Sequence, residues 1–171
     1  MKEEFPKSRR RILDAFRSQV LTRPYDEITV AELVAEAGIA RSTFYEHFAS
    51  KKVLLVASLA PLLDVLSDCA QGRASDGAID EFVAHCWENR MYGRIVFGSD
   101  GFKAACDELA DSIAKGCGIS ILDATAYAHA YLGTLYRWLL GEIRAEPKEF
   151  AEWLQHYRPL GSNQVESRAG A

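Results

Sequence analysis

Residues 28–55, ITVAELVAEAGIARSTFYEHFASKKVLL, decide the fold of this 171-residue chain. Thr29 stands immediately before an apolar-periodic run and carries the side-chain oxygen that an N-cap needs. Val30, Leu33, Val34 and Ala37 recur at helical spacing and predict an amphipathic helix of about two turns. Gly38 predicts its end, because glycine enters the left-handed conformation of a helix stop without a Cβ clash. Ile39 is expected to tuck beneath the turn. A second helix is predicted from about Arg41 to Phe48. Phe44 and Phe48, spaced i, i+4, form its apolar side and leave Arg41, Ser42, Thr43, Tyr45 and His47 to project elsewhere. Ser50 is placed to cap the next helix, which opens with Lys51 and Lys52.

Two short helices joined through a glycine turn form a helix-turn-helix. Such a second helix lies in the major groove with its N-terminal residues toward base edges. Here it offers a guanidinium, two hydroxyls, a phenol and an imidazole as hydrogen-bonding groups, with no carboxylate before Glu46. The same spacing also describes a helical hairpin in an ordinary all-α core, with Phe44 and Phe48 as packing residues. The residue pattern alone leaves both readings open.

The stretch also resembles the DNA-binding domain of the TetR family of bacterial transcriptional regulators. The residues that carry the likeness are Thr29-Val30, Ala37-Gly38-Ile39 in the turn, Thr43-Phe44-Tyr45 on the recognition helix, and His47-Phe48 leading into Ser50-Lys51 and Leu54-Leu55. It runs from about Arg9 to Leu59, roughly a third of the chain. With it, Thr29, Arg41, Ser42, Thr43, Tyr45 and His47 become candidate DNA contacts. The resemblance further implies that Lys51 and the N-terminus of its helix grip a backbone phosphate, where free amides, dipole and ammonium all favour an anion. Two positions depart from the family. Ala40 stands where Ser or Thr is frequent, which removes a cap and a phosphate contact. Val34 stands where Ala is frequent, which adds bulk between the helices.

Charge patterning agrees with this reading. The net charge is −4, yet residues 1–60 hold ten Lys/Arg against eight Asp/Glu, and the remainder ten against sixteen. Lys7, Arg9, Arg10 and Arg11 cluster at one end of the head, with Lys51 and Lys52 at the other. A locally basic surface on an acidic whole suffices for phosphate binding. Arg9–Arg11 taken alone describe only a solvated helix start. Hydrophobic residues at 49% are ample for a packed core. No apolar run approaches the length of a membrane span, so no transmembrane helix is expected. The opening MKEEFPKSRRR lacks the apolar segment of a secretory signal, and a cytoplasmic location is expected. Cys69, Cys86, Cys106 and Cys117 form no CxxC pair, so free, mostly buried thiols are expected. The alternative is a redox or metal sensor using Cys86, Cys106 or Cys117 with His85 and His129. Neither a bound metal nor a cofactor is expected.

The rest of the chain reads as helix throughout. A first helix is predicted from about Lys7 to Thr22, with Ile12, Leu13, Phe16 and Val20 inward, ended by Arg23-Pro24. The helix from Ser50 is expected to reach about Ala70, apolar on more than one side, with a kink or break at Pro61. Gln71–Gly77 is a loop, and Ser75 or Asp76 caps a helix to about Asn89. Met91–Phe97 is short and apolar, helical or irregular, and Gly98–Gly101 is a turn. Phe102–Ala114 is a further helix, ended by Lys115–Gly118. The longest of the late helices is expected from Ile121 to Arg144, and Pro147 opens the last. Gly161 to Ala171, small and polar, is expected to be disordered.

The expected architecture is all-α. A three-helix DNA-binding head (residues 1–50) joins a helical effector-binding and dimerisation domain (residues 51–160), followed by the tail (161–171). The resemblance implies a four-helix dimer interface from the last two helices, for which Tyr131, Leu135, Trp138 and Trp153 are the candidates. Core packing explains the two tryptophans equally well. The pattern from Tyr131-x-Gly133 through Trp138 to Pro147 is similar to the short regulatory domain of dihydroxyacetone-kinase-operon regulators. Candidate effector contacts are Phe82, His85, Trp87, Phe97, Phe102, Tyr127 and His129. No catalytic constellation is marked by spacing, so an enzyme is not expected. The function expected is a dimeric repressor on a palindromic site in double-stranded DNA, released by an unidentified small-molecule effector. A chromosome-organising protein or a regulator without a ligand is the alternative.

Overall fold

The computed structural model describes residues 4–98 and 101–159, with side chains from Lys7 onward apart from those two gaps. The expected tail, 161–171, lies outside the described residues, as do Ser99 and Asp100 of the turn at 98–101. The described residues form nine α-helices and one 3-10 turn and contain no strand. The helices are α1 (Glu4–Val20), α2 (Val30–Ala37), α3 (Arg41–His47), α4 (Lys51–Ala70), α5 (Asp76–Glu88), α6 (Arg90–Phe97), α7 (Gly101–Cys117), α8 (Ile121–Leu140) and α9 (Pro147–His156).

The first three helices pack pairwise around Ile12, Phe16, Leu33, Phe44 and Phe48, all almost fully buried. The local signals act as expected. Thr29 closes a capping box: its hydroxyl accepts from the Glu32 amide and the Glu32 carboxylate accepts from the Thr29 amide. Gly38 stops α2 at φ +61°, and a Cβ there would lie 2.5 Å from an Arg11 guanidinium nitrogen. Ser50 and Ser75 each cap the helix they precede. The 3-10 turn Tyr25–Glu27 returns the chain toward α2, with Tyr25 edge-on to Phe16 at 6.2 Å.

Helix α4 leaves the head and enters the second layer, where it packs chiefly on α7; α7 packs on α8, α8 on α6, and α9 on α5. Three expectations need correction. Pro61 does not break α4, which runs unbroken to Ala70. Proline removes one amide donor, to the Ala57 carbonyl, and packing of Leu59, Leu63 and Leu66 holds both sides of that defect. Helix α4 is also long and apolar enough to cross a membrane by length and composition, with a mean hydropathy of 1.8 over 18 residues. Its apolarity serves two layers at once, since Leu54 and Leu55 are buried near the head end and Leu66 and Cys69 near the far end. Finally, α8 stops at Leu140, a turn short of Arg144. Gly141 takes φ +80° and donates to the Arg137 and Trp138 carbonyls, so the glycine outweighs the apolar residues beyond it.

The aromatic content of α8 and α9 is turned inward. Trp138 stacks on Phe150 at 4.4 Å and donates from its indole nitrogen to the Ala145 carbonyl. Tyr131 donates to the Tyr157 carbonyl and lies edge-on to Trp153. Tyr131, Leu135 and Trp138 are each 0% exposed within a single protomer, so they cannot be the contact surface for a second copy. The apolar faces expected to await a partner are satisfied by α5 and α9 instead.

Candidate nucleic-acid interface and adjoining cleft

Helix α3 is the shortest in the head. Its buried side is Phe44, tilted against Phe48 at 5.9 Å and edge-on to Tyr45 at 5.4 Å. With that side fixed, Arg41, Ser42 and Tyr45 are exposed and Thr43 is half-buried. The Arg41 guanidinium lies over the Tyr45 ring at 5.8 Å and donates to its hydroxyl at 3.4 Å. That contact is long and solvent-exposed, so it holds both side chains in one direction without consuming their hydrogen-bonding capacity.

The other sequence candidates take structural positions. His47 is half-buried and shares a 2.7 Å hydrogen bond between its Nε2 and the Ser8 hydroxyl, tying α3 to α1. Burial, reinforced by Arg9, holds its pKa below the usual imidazole value. Thr29 is exposed, but its hydroxyl donates to Glu32 at 2.6 Å within the capping box. Lys51 departs furthest from expectation. Its ammonium donates to the carbonyls of Tyr25 at 2.7 Å and Ile28 at 2.8 Å and lies 4.2 Å from the Tyr25 ring centre. Burial lowers its pKa. Lys51 therefore clamps the 3-10 turn to the start of α4, and its donors point into the protein rather than toward a phosphate. The basic side chains left exposed near α3 belong to α1 and α4. Arg9 lies over Phe48 at 5.4 Å, Arg11 donates to the Gly38 carbonyl at 3.1 Å, and Lys52 is exposed. Arg11 thus buttresses the helix-turn-helix turn, a role that its place in a basic run does not reveal.

A cleft of about 550 Å³ opens beside the head, between α1, α4, α5 and α6. Of the expected effector contacts, Phe82, His85 and Phe97 line it. The other four do not. Trp87 packs on Trp138 at 4.9 Å, Phe102 is ringed by Phe97, His129 and Tyr136, and Tyr127 lies against Tyr157. The sequence missed the α1 wall, Leu13, Asp14 and Arg17, because nothing in a helix pattern tells which distant helix faces it.

The cysteines are spread among helices, and no group of metal-ligating side chains occurs among the described residues. Burial raises the Cys69 and Cys106 thiols to about 11 and Cys86 to about 12. Such thiols stay protonated at neutral pH, which opposes the sensor alternative, since the thiolate is the nucleophile and the metal ligand.

Residues 12–57 match the family described as bacterial regulatory proteins, tetR family. The HTH-type transcriptional regulator AlkX of Mycobacterium tuberculosis is 32% identical over 105 residues, 61% of this chain and 46% of that protein. The match thus spans just under half the length of that relative. Solved structures share the fold at low identity. A TetR transcriptional regulator from Rhodococcus sp. RHA1 has a TM-score of 0.56 at 15% identity, over 90% of this chain and 93% of that one. The dihydroxyacetone kinase operon activator DhaS has 0.53 at 16%, over 94% and 95%. NalD, the secondary repressor of the MexAB-OprM multidrug efflux pump in Pseudomonas aeruginosa, has 0.52 at 18%, over 87% and 93%.

Proposed function

We propose that this chain, whose residues 12–57 match the family described as bacterial regulatory proteins, tetR family, is a sequence-specific DNA-binding transcriptional regulator, acting in the cytoplasm as a dimeric repressor released by a small-molecule effector. In this reading the chain is a regulator and not an enzyme. The observation that carries the reading is the orientation of α3. Phe44 anchors it inward while Arg41, Ser42, Thr43 and Tyr45 stand at the surface of the head.

In this reading residues 1–50 are the DNA-binding head and 51–160 the effector and dimerisation domain. Arg41, Ser42, Thr43 and Tyr45 read base edges, and Arg9 and Lys52 supply charge toward phosphates. Thr29, His47 and Lys51 position the reading helix rather than touch bases. A second copy doubles the site read and fits a palindromic operator, since one short helix reaches few base pairs. The outer faces of α8 and α9 are the proposed contact, supported by the exposure of Leu122, Leu140 and Tyr157.

The test is binding of the full chain to the labelled region upstream of its own gene, followed by fluorescence anisotropy. Binding should weaken steeply between about 50 and 200 mM salt through counterion release. Arg41→Ala and Tyr45→Ala should each weaken specific binding by about 1–3 kcal/mol while sparing non-specific binding. If neither variant alters discrimination, the assignment of α3 as the reading helix is wrong.

A further inference from the structure

Arg41 is an unfavourable choice for its own helix. It opens α3, where the aligned amide dipoles repel a cation; the preceding Ala40 supplies no side-chain cap, and the first turn holds no acidic residue. The start of α2 is built the opposite way, with the Thr29 cap and Glu32 in the first turn. Arg41 also enters no ion pair among the described residues. A residue that costs its helix, with no neighbouring carboxylate to offset the cost, marks a partner outside the fold.

Other arginines of the head are turned onto a second segment of the chain. Arg11 donates to the Gly38 carbonyl, Arg17 to Asn89, and Arg23 to Glu32. Arg41 is held within its own helix instead, over the Tyr45 ring one turn on, at 5.8 Å. Tyr45 is 47% exposed, and its ring stands edge-on, at 5.4 Å, to that of Phe44, which is fully buried. Orientation thus passes from the buried ring to the exposed ring, and from there to the guanidinium. A guanidinium carries five N–H donors, and here one of them reaches the Tyr45 hydroxyl, at 3.4 Å.

We propose that Arg41 reads a guanine, donating two parallel N–H groups to its O6 and N7 in the major groove, and that Tyr45 is the positioning residue that holds the guanidinium for this contact. Guanine reading by Arg41 presupposes the regulator reading above. The base follows from the donor set. A guanidinium donates and never accepts. Guanine presents two adjacent acceptors in the major groove, whereas adenine sets an amino donor beside its N7, thymine has one acceptor beside a methyl group, and cytosine has an amino donor. A phosphate accepts the same fork, but the first residues of a reading helix face base edges. Tyr45 thereby contributes to reading through Arg41 as well as through its own hydroxyl.

The experiment selects duplexes from a randomised pool with the full chain, then measures single-base changes in the enriched site by anisotropy. The parent should enrich a site holding a guanine at which another base weakens binding by about 5–150-fold. Placing 7-deazaguanine there, which removes the N7 acceptor, should weaken the parent several-fold and leave Arg41→Ala unaffected. Arg41→Ala should lose the preference at that position and keep it elsewhere. Arg41→Lys keeps the charge without the fork; it should hold the parent's salt dependence and lose most of the preference, and it decides the matter if the alanine variant lacks the parent's far-ultraviolet dichroism. Tyr45→Phe keeps the ring and should stay within about two-fold of the parent at that guanine. Tyr45→Ala should weaken the preference, and should weaken it no further when added to Arg41→Ala. A merely structural Tyr45 would lower affinity for all duplexes alike and leave the preference intact. Arg41 variants that change no base preference, or that remove a preference for a base other than guanine, would overturn the guanine contact. Additive effects of the two alanine variants at that position would overturn positioning by Tyr45. A parent that enriches no site would refute the regulator reading, and the contact with it.

Discussion

Replacing Lys51 by methionine keeps the aliphatic stem and removes the ammonium, which separates two roles that the sequence cannot distinguish. In the structure the ammonium makes two short hydrogen bonds, to the Tyr25 and Ile28 carbonyls at 2.7 and 2.8 Å, and a cation–π contact at 4.2 Å. Charge-assisted hydrogen bonds of this kind contribute about 1.5–3 kcal/mol each when buried. Lys51 is only half-buried, and water can reach the freed carbonyls, so about 2–3 kcal/mol for the whole clamp is the appropriate scale. For a chain of this size that corresponds to a fall in Tm of about 5–10 °C, read by circular dichroism. DNA binding measured well below that Tm should keep its salt dependence. A lost phosphate contact would instead lower the slope of log K against log salt by about 0.9. A Lys51→Met variant with unchanged Tm and a slope reduced by about one would refute the clamp and restore the phosphate grip.

Three further outcomes follow from the geometry. Gly38→Ala should destabilise the head by about 1–2 kcal/mol, since the residue sits at φ +61° with a guanidinium 2.5 Å from the new Cβ; an unchanged melting curve would contradict the turn. The Arg23 guanidinium and the Thr29 hydrogen bonds hold the Glu32 carboxyl down at about 2, against an ordinary 4.5. A carboxylate depressed on folding stabilises above its unfolded pKa. That contribution is therefore lost as pH falls from about 4.5 through about 2, and Glu32→Gln should flatten the acid-unfolding profile in that window. Trp138→Ala should cost about 3–5 kcal/mol of stability, because it empties the stack on Phe150 and leaves the Ala145 carbonyl without its donor. Sedimentation of the folded variant should show the parent's oligomeric state, whereas a stable monomer with an unchanged Tm would make Trp138 an interface residue after all.

The helix-turn-helix was legible because each of its signals is local. A cap acts across three residues, a glycine stop across one, and the Phe44–Phe48 pair across four. The end of α8 was misread for the opposite reason: a local stop, Gly141, was outweighed in the reading by apolar residues that continue past it. The late aromatics were legible as apolar but not as inward, since a wide apolar face fits a second copy and a neighbouring helix of the same chain equally well. Only the packing of α9 on α5 separates those cases.

The chain's order of residues determined where helices start and stop and which side of each one avoids water, because those effects are settled among near neighbours. Tertiary packing decided the employment of the polar groups. Lys51 meets the Tyr25 carbonyl across 26 positions, His47 meets Ser8 across 39, and Arg17 meets Asn89 across 72. A cation in a basic stretch can satisfy a phosphate or a carbonyl with the same chemistry, and only the distance to each in the folded chain chooses between them.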